Sequence, residues 1–171
     1  MRSAGRLIFL CALVGLVTGL GGWLFDEGLH LVQVMLLDQG IFKAGASAWA
    51  EILLPAAGAG LAAWMALKWA PEALGTGSDL VVKAYHEGGG HIRKRVPLFR
   101  ALCSILTIGS GGSAGKEGPI AQIGAGLGST LGRIFRVDAE TRRILMLAGV
   151  AGGVGAVFKA PLGGALLGLE L

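Results

Sequence analysis

An all-α membrane protein made of broken and re-entrant helices is the fold class this sequence predicts, and three observations carry that prediction. Of 171 residues, 53% are hydrophobic and only 15% are charged, with a mean hydropathy of +0.67. A soluble domain carries about a quarter charged residues, so this chain lacks the polar surface to cover itself in water. Two runs, residues 7–25 and 52–69, are apolar over about the length that spans a bilayer. The remaining apolar segments are shorter and alternate with glycine-rich breaks, which at membrane depth are tolerated only where they are buried in protein or line a cavity.

Composition also removes other classes. The 31 glycines keep no three-residue period and stand among Leu, Ala, Val and Ile, which excludes collagen-like and disordered chains. Small residues instead let helices approach closely in lipid. A net charge of +4 and a pI near 9.4 raise nucleic acid as a partner. The basic residues, however, flank apolar segments and line no single polar face, so membrane lipid is the expected partner and nucleic acid is not. Cys11 and Cys103 sit in apolar runs and read as small core residues, with no disulfide framework and no metal site expected.

Residues 7–25 follow Arg2 and Arg6. A secretory signal has a shorter apolar core and a small-x-small cleavage site; Gly21-Gly22-Trp23 matches that poorly, so the segment reads as a retained first helix. Gly15 and Gly19 form a GxxxG pair on it, and Trp23 suits an interface. Residues 26–51 are more polar, with Asp26, Glu27, Asp38 and Glu51 against Lys43. A second spanning helix, residues 52–69, contains Pro55 near its start and is bounded by Lys68, Pro71 and Glu72. Two passes return the chain to its starting side, where Lys83, Arg93, Lys94, Arg95 and Arg100 join Arg2. The positive-inside tendency puts that side, and the N-terminus, in the cytoplasm.

Gly75-Thr76-Gly77-Ser78-Asp79-Leu80 precedes a short helical stretch, residues 80–87. Thr76, Ser78 and Asp79 are N-cap candidates. They either only cap this helix or present hydroxyls and backbone amides to a cavity shared with a later segment. His86 and His91 lack partners at ligand spacing and read as solvated residues. Apolar residues 97–108 then lead into Gly109-Ser110-Gly111-Gly112-Ser113-Ala114-Gly115-Lys116-Glu117-Gly118-Pro119-Ile120, a glycine-rich break holding two charges. Proline suits the first position of a helix, so residues 119–135 are expected to form a helix whose N-terminus opens on a cavity. Such an end carries unpaired N–H groups and the positive pole of the helix dipole. Glu117, one or two residues ahead of it, can place its carboxylate there.

Competing readings of the break are weaker. A phosphate-binding P-loop needs Gly, four residues, then Gly-Lys-Ser/Thr, and here Ser110 and Glu117 occupy the required glycine and hydroxyl positions. Gly109-x-Gly111-x-x-Ala114 fits a loose dinucleotide pattern but lacks a strand before it, and Glu117 would repel a pyrophosphate. A glycine-rich kink holding a membrane-buried salt bridge from Lys116 is the bland alternative.

Gly124, Gly128 and Gly132 make one smooth face on the helix that follows. Arg133, Arg136, Asp138, Glu140, Arg142 and Arg143 form a charged connection, which segment counting places outside although its charge argues for inside. Residues 145–157 are again apolar and glycine-rich, and a last apolar segment stops at Glu170-Leu171 without a polar tail, so the chain reads as truncated.

Several of these stretches coincide with one family. Gly115-Lys116-Glu117-Gly118-Pro119, with Ile120-Ala121-Gln122-Ile123-Gly124 behind it, resembles the G(K/R)EGP signature of the voltage-gated chloride channel (CLC) family of anion channels and proton-coupled anion exchangers. Gly75-Thr76-Gly77 resembles that family's GSGIP segment. Ala156-Val157-Phe158-Lys159-Ala160-Pro161-Leu162-Gly163-Gly164 is similar to its AAFNAPLAG helix start, and Leu169-Glu170-Leu171 falls where the family often has an acidic pair. The resemblance runs from about residue 7 to the end.

It implies that residues 1–171 are the N-terminal half of a CLC-type transmembrane domain, one half of an inverted-repeat subunit, with the second half absent. It further implies a homodimer with one pore per subunit, in a plasma (inner) membrane, passing chloride or a similar small anion. Carried over, Glu117 is the gating glutamate. Thr76, Gly77 and Ser78 on one side, and Gly115, Lys116, Gly118, Ile120 and Ala121 on the other, contact the anion. Thr76 replaces the usual serine, Ser78-Asp79 replaces Ile-Pro, and Leu171 stands where exchangers commonly carry an internal proton-transfer glutamate. A leucine cannot relay a proton, so the expected function is a glutamate-gated anion channel. The alternatives are a proton-coupled chloride exchanger of the same family or a non-conducting structural membrane fragment. No nucleophile, base and orienting group assemble at useful spacing, so neither an enzyme nor a cofactor is expected.

Overall fold

A computed structural model describes residues 2–41 and 48–171. Its helices are α1 (Arg2–Gln33), α2 (Ala48–Trp69), α3 (Ser78–His86), α4 (Arg95–Gly109), α5 (Glu117–Ile134), α6 (Ala139–Val157) and α7 (Pro161–Glu170). A π-helical stretch, Val34–Ile41, continues α1, and a 3-10 turn, Pro71–Ala73, follows α2. At 1.5 Å per residue α1 is about 48 Å long and α2 about 33 Å. Within them, Ala4–Leu37 and Ile52–Trp69 are long and apolar enough to cross a membrane. The outer face of α1 exposes Ile8, Phe9, Leu16 and Leu20, each more than half accessible, an arrangement suited to lipid contact. By contrast α3, about 14 Å long, and α7, about 15 Å, are too short to span. These are the broken segments that the sequence predicts.

The polar stretch after residue 25 does not end the first helix as expected. Asp26 remains in α1, its carboxylate taken by Lys116 at 2.6 Å, while Phe25 and Leu29 on either side enter the core. Asp38, Lys43 and Glu51 lie outside the residues whose side chains are described.

α5 is the buried centre. Ile120, Ala121, Gln122, Ile123, Gly124 and Ala125 are all inaccessible, packed among Phe25, Val81, Val96, Met146 and Val150. The predicted glycine face is its seam with α6. A methyl on Gly124 would overlap the Gly149 carbonyl, one on Gly128 the Leu145 carbonyl, and one on Gly132 would press on Arg142. The GxxxG pair of α1 also finds its partner within the chain: Gly15 lies against Gly152 and Gly19 near Ala156, both on α6. Cys11 and Cys103 are free thiols.

One boundary moves for a local reason. Glu140, Arg142 and Arg143 belong to α6, which starts early because Asp138 caps it, accepting the Thr141 N–H at 3.2 Å and the Thr141 hydroxyl at 2.8 Å. Leu10 and Val14 of α1 pack on Leu145, with Leu131 and Val137 beside them. The α5–α6 turn therefore lies at the end where α1 begins. The 88–93 loop is there too, since Gly90 abuts the Arg142 and Arg143 backbone and Arg133 donates to the Ile92 carbonyl at 2.7 Å. The basic connection thus shares one end with the N-terminal arginines. Counting segments fails because α3 and α5 start part-way along the bundle instead of at its far end.

Candidate functional site

Two helix N-termini meet at a pair of glycines. Gly77, with φ +90°, precedes α3 and accepts the Val81 N–H at 3.3 Å; no side chain caps this end. A methyl on Gly77 would stand 2.5 Å from the Gly118 carbonyl oxygen, and one on Gly118 would overlap the Thr76 carbonyl. The start of α3 and the start of α5 are therefore in backbone contact. That contact leaves the N-cap position to a positive-φ glycine, which corrects the expectation that Thr76, Ser78 or Asp79 caps the helix.

Glu117 is the first residue of α5 itself, with Lys116 at the N-cap position. The Ile120 N–H donates to the Lys116 carbonyl at 3.0 Å, so it is already committed to the helix. Pro119 has no N–H, which leaves those of Lys116, Glu117 and Gly118 as the donors of this end without a partner among the described residues. The Glu117 carboxylate folds back over Gly115, where any side chain would overlap it.

A cavity of about 430 Å³ opens at this junction. Gly75, Thr76, Gly115, Glu117 and Gly118 line it, against small residues of α2 (Ala59, Ala62, Ala63, Ala66) and the Cys103 to Ile108 face of α4. Of the residues marked from sequence, Thr76, Gly115, Glu117 and Gly118 thus share one space, with Gly77 directly behind. Ser78, Ile120 and Ala121 do not line it, the latter two being buried in the core. Lys116 is also elsewhere: its ammonium pairs with Asp26, both side chains about 40% exposed. That residue follows the bland reading, a salt bridge that ties the α5 start to α1.

Sequence reasoning missed Arg100, which it placed among the loop arginines. It is buried, it lines the cavity, and its guanidinium donates to the carbonyls of Ala73, Gly75 (2.9 Å) and Thr76 (3.3 Å). The available signal was a lone charge between Val96 and Gly109 in an otherwise apolar helix; at membrane depth such a charge is functional by default. Two further buried polar groups brace α5. Gln122 donates to the Glu72 carbonyl at 2.8 Å, next to the Glu72–Arg93 ion pair at 2.8 Å. The Ser129 hydroxyl donates to the Gly90 carbonyl at 2.6 Å and accepts the Ile92 N–H at 3.0 Å.

The arrangement is chemically simple. The positive groups at the cavity are the amides of the α5 end and the Arg100 guanidinium, and among the described residues Glu117 is the carboxylate that lines it. Among the described residues there is no cluster of His, Cys, Asp and Glu able to hold a metal.

Comparisons with known proteins bear on the fold and the family. A solved structure described as a slow cyanobacterial Cl−/H+ antiporter superposes with a TM-score of 0.75 at 26% identity, over 93% of this chain and 38% of that one. A ClcB-like protein of Ralstonia nicotianae, named as a chloride channel, is 34% identical over 96% of the chain. The H+/Cl− exchange transporter ClcA of Vibrio cholerae is 36% identical over 99% of it. The chain spans 40% and 37% of the length of these two relatives. The all-helical fold is accordingly that of part of a CLC subunit. The family model for the voltage gated chloride channel matches residues 58–171, from within α2 through α7 and across both glycine junctions, and the chain belongs to that family.

Proposed function

We propose that the full-length protein exchanges chloride, or a similar small anion, for protons across a membrane, and that this chain supplies the wall bearing its gate. The carrying observation is the Glu117 carboxylate at the α5 N-terminus, above a cavity it shares with Thr76 and the unpaired amides of the helix end. An ionised Glu117 competes with an anion for the same positive site. Protonation removes the competing charge and releases the site, which links anion movement to proton concentration. The names of the ClcA relative and of the matched antiporter support exchange over the channel that Leu171 favours. Exchange in this protein then requires a proton route that does not use residue 171. In this reading the protein is a homodimer of the plasma (inner) membrane, and the end carrying Arg6, the 88–93 loop and the α5–α6 turn faces the cytoplasm.

The test is chloride efflux from liposomes holding the full-length protein, with external pH recorded simultaneously. Exchange predicts that a chloride gradient drives protons uphill. Chloride movement without protons refutes exchange and restores the channel; no anion movement at any pH or voltage refutes transport altogether.

A further inference from the structure

Arg100 carries a positive charge into the protein and forms no ion pair with a carboxylate among the described residues. It is 8% exposed, and the ion pairs found among the described residues, Arg93 with Glu72 and Lys116 with Asp26, leave it out. Its partners are three backbone carbonyls, and its Nε is buried without a partner. Carbonyls satisfy a guanidinium's donors but do not balance its charge, and an unbalanced buried charge is costly. Its position shows where the balance comes from. The guanidinium nitrogen Nη2 lies 3.2 Å from where a side chain on Gly77 would begin and 3.7 Å from the same point on Gly118. It therefore sits on the seam between the N-termini of α3 and α5, on the wall of the cavity that Glu117 and Thr76 line.

The three carbonyls complete the picture. Those of Ala73, Gly75 and Thr76 belong to the strand of backbone leading into α3. Left free beside the cavity, their negative ends would oppose an anion at the site the helix N-termini favour. Arg100 engages all three.

We propose that Arg100 is the positioning residue that sets anion affinity in this cavity. It holds the carbonyls of residues 73–76 away from the anion and supplies the fixed counter-charge that a small monovalent anion and the Glu117 carboxylate share in turn. The inference rests on the anion-transport reading above. The test is chloride binding to the detergent-purified full-length protein by calorimetry, for the wild type and for Arg100→Met, Arg100→Gln and Arg100→Lys. A unit charge a few ångströms from the anion, at an effective dielectric near 20, changes affinity by at least about tenfold. Arg100→Met and Arg100→Gln are expected to weaken chloride binding by that much, and Arg100→Lys, which keeps the charge, to stay within about threefold of wild type. A residue that only braced the fold would lower the unfolding temperature in all three, with chloride affinity unchanged in the folded fraction, and that result overturns the proposal. Equal loss of affinity in Arg100→Lys and Arg100→Gln overturns the counter-charge role, and this comparison decides the matter even if Arg100→Met does not fold. A wild-type protein that binds no chloride fails the transport reading itself, before any variant is made.

Discussion

Three glycine variants separate two costs at the helix junction and test whether backbone contact there holds the site together. Gly75 has φ +88° and nothing within 4 Å of the point where a side chain would begin. Gly75→Ala therefore adds backbone strain alone, about 1–3 kcal/mol. Gly77 has φ +90°, and its new methyl would stand 2.5 Å from the Gly118 oxygen, where ordinary contact begins at 3.4 Å. Gly77→Ala adds to the same strain an overlap of roughly 0.9 Å, an overpacking cost of about 1–3 kcal/mol. Gly118→Ala, within a helix, carries overlap with the Thr76 carbonyl and no φ penalty. The expected order of destabilisation has Gly77→Ala at about 2–6 kcal/mol, near the sum of the other two. Only Gly77→Ala and Gly118→Ala force α3 away from α5, so only these should move Thr76 from Glu117 and weaken chloride binding. Heat-driven unfolding of the full-length protein in detergent gives the first quantity and calorimetry the second. If Gly77→Ala proves no worse than Gly75→Ala in both, the helix ends are not held by this contact and the account of the site is wrong.

Other outcomes follow from the same geometry. Glu117→Gln should still move chloride but with a flattened dependence on pH, read from liposome efflux; an unchanged pH profile removes Glu117 from gating. Lys116→Met should leave chloride affinity, read by calorimetry, within about twofold, because the Lys116–Asp26 pair faces α1 and not the cavity. Ser129→Ala strands the buried Ile92 N–H and Gly90 carbonyl, a loss of about 1–3 kcal/mol measurable by unfolding in detergent. In the 88–93 loop, burial and the neighbouring Arg133, Arg142 and Arg93 hold the His91 imidazole below its ordinary value of 6.5. The stability from neutral His91 is present above that value and lost as pH falls through the lowered one, so acidification destabilises the fold. His91→Asn should reduce that acid sensitivity, and thermal unfolding compared across the acid range checks it.

How far the sequence discloses this structure depends on the range of the forces involved. The spanning runs, the glycine seam of α5 and the paired loops around Thr76 and Glu117 are local signals, set by residues close together in the chain, and each was legible. What was not legible depends on distant partners. Asp26 read as the end of a helix because nothing local shows that Lys116, ninety residues on, takes its charge. Thr76, Ser78 and Asp79 read as cap candidates because the N-cap preference is local, whereas the close approach of Gly118 from another helix leaves a positive-φ glycine at that position. Arg100 was lost among its neighbours in a basic stretch; its place as a lone charge in an apolar run hinted at a different fate, and the fold separates the exposed Arg93, Lys94 and Arg95 from this arginine that turns inward. The early start of α6 was recoverable, since Asp138 three residues before Thr141 is a plain capping signal.

In the proposed reading, magnitudes explain why the cavity needs Arg100 as well as two helix ends. A helix N-terminus contributes about 0.3–1 kcal/mol to a nearby anion, and up to about 2 kcal/mol when partly buried. Two negative charges about 5 Å apart, at an effective dielectric of 20, repel by roughly 3 kcal/mol. The two dipoles together therefore barely offset the repulsion between an anion and an ionised Glu117, and they cannot hold both. Adding one fixed guanidinium brings a single negative charge into clear balance, yet still leaves a second in excess. A cavity so composed has two stable occupancies, carboxylate in with the anion out, or anion in with the carboxylate protonated or displaced. Losing Arg100 leaves neither negative group well held, and doubling the positive charge would let both bind and abolish the competition. Exchange of one occupant for the other requires a positive charge of intermediate strength, and two helix N-termini with one arginine supply it.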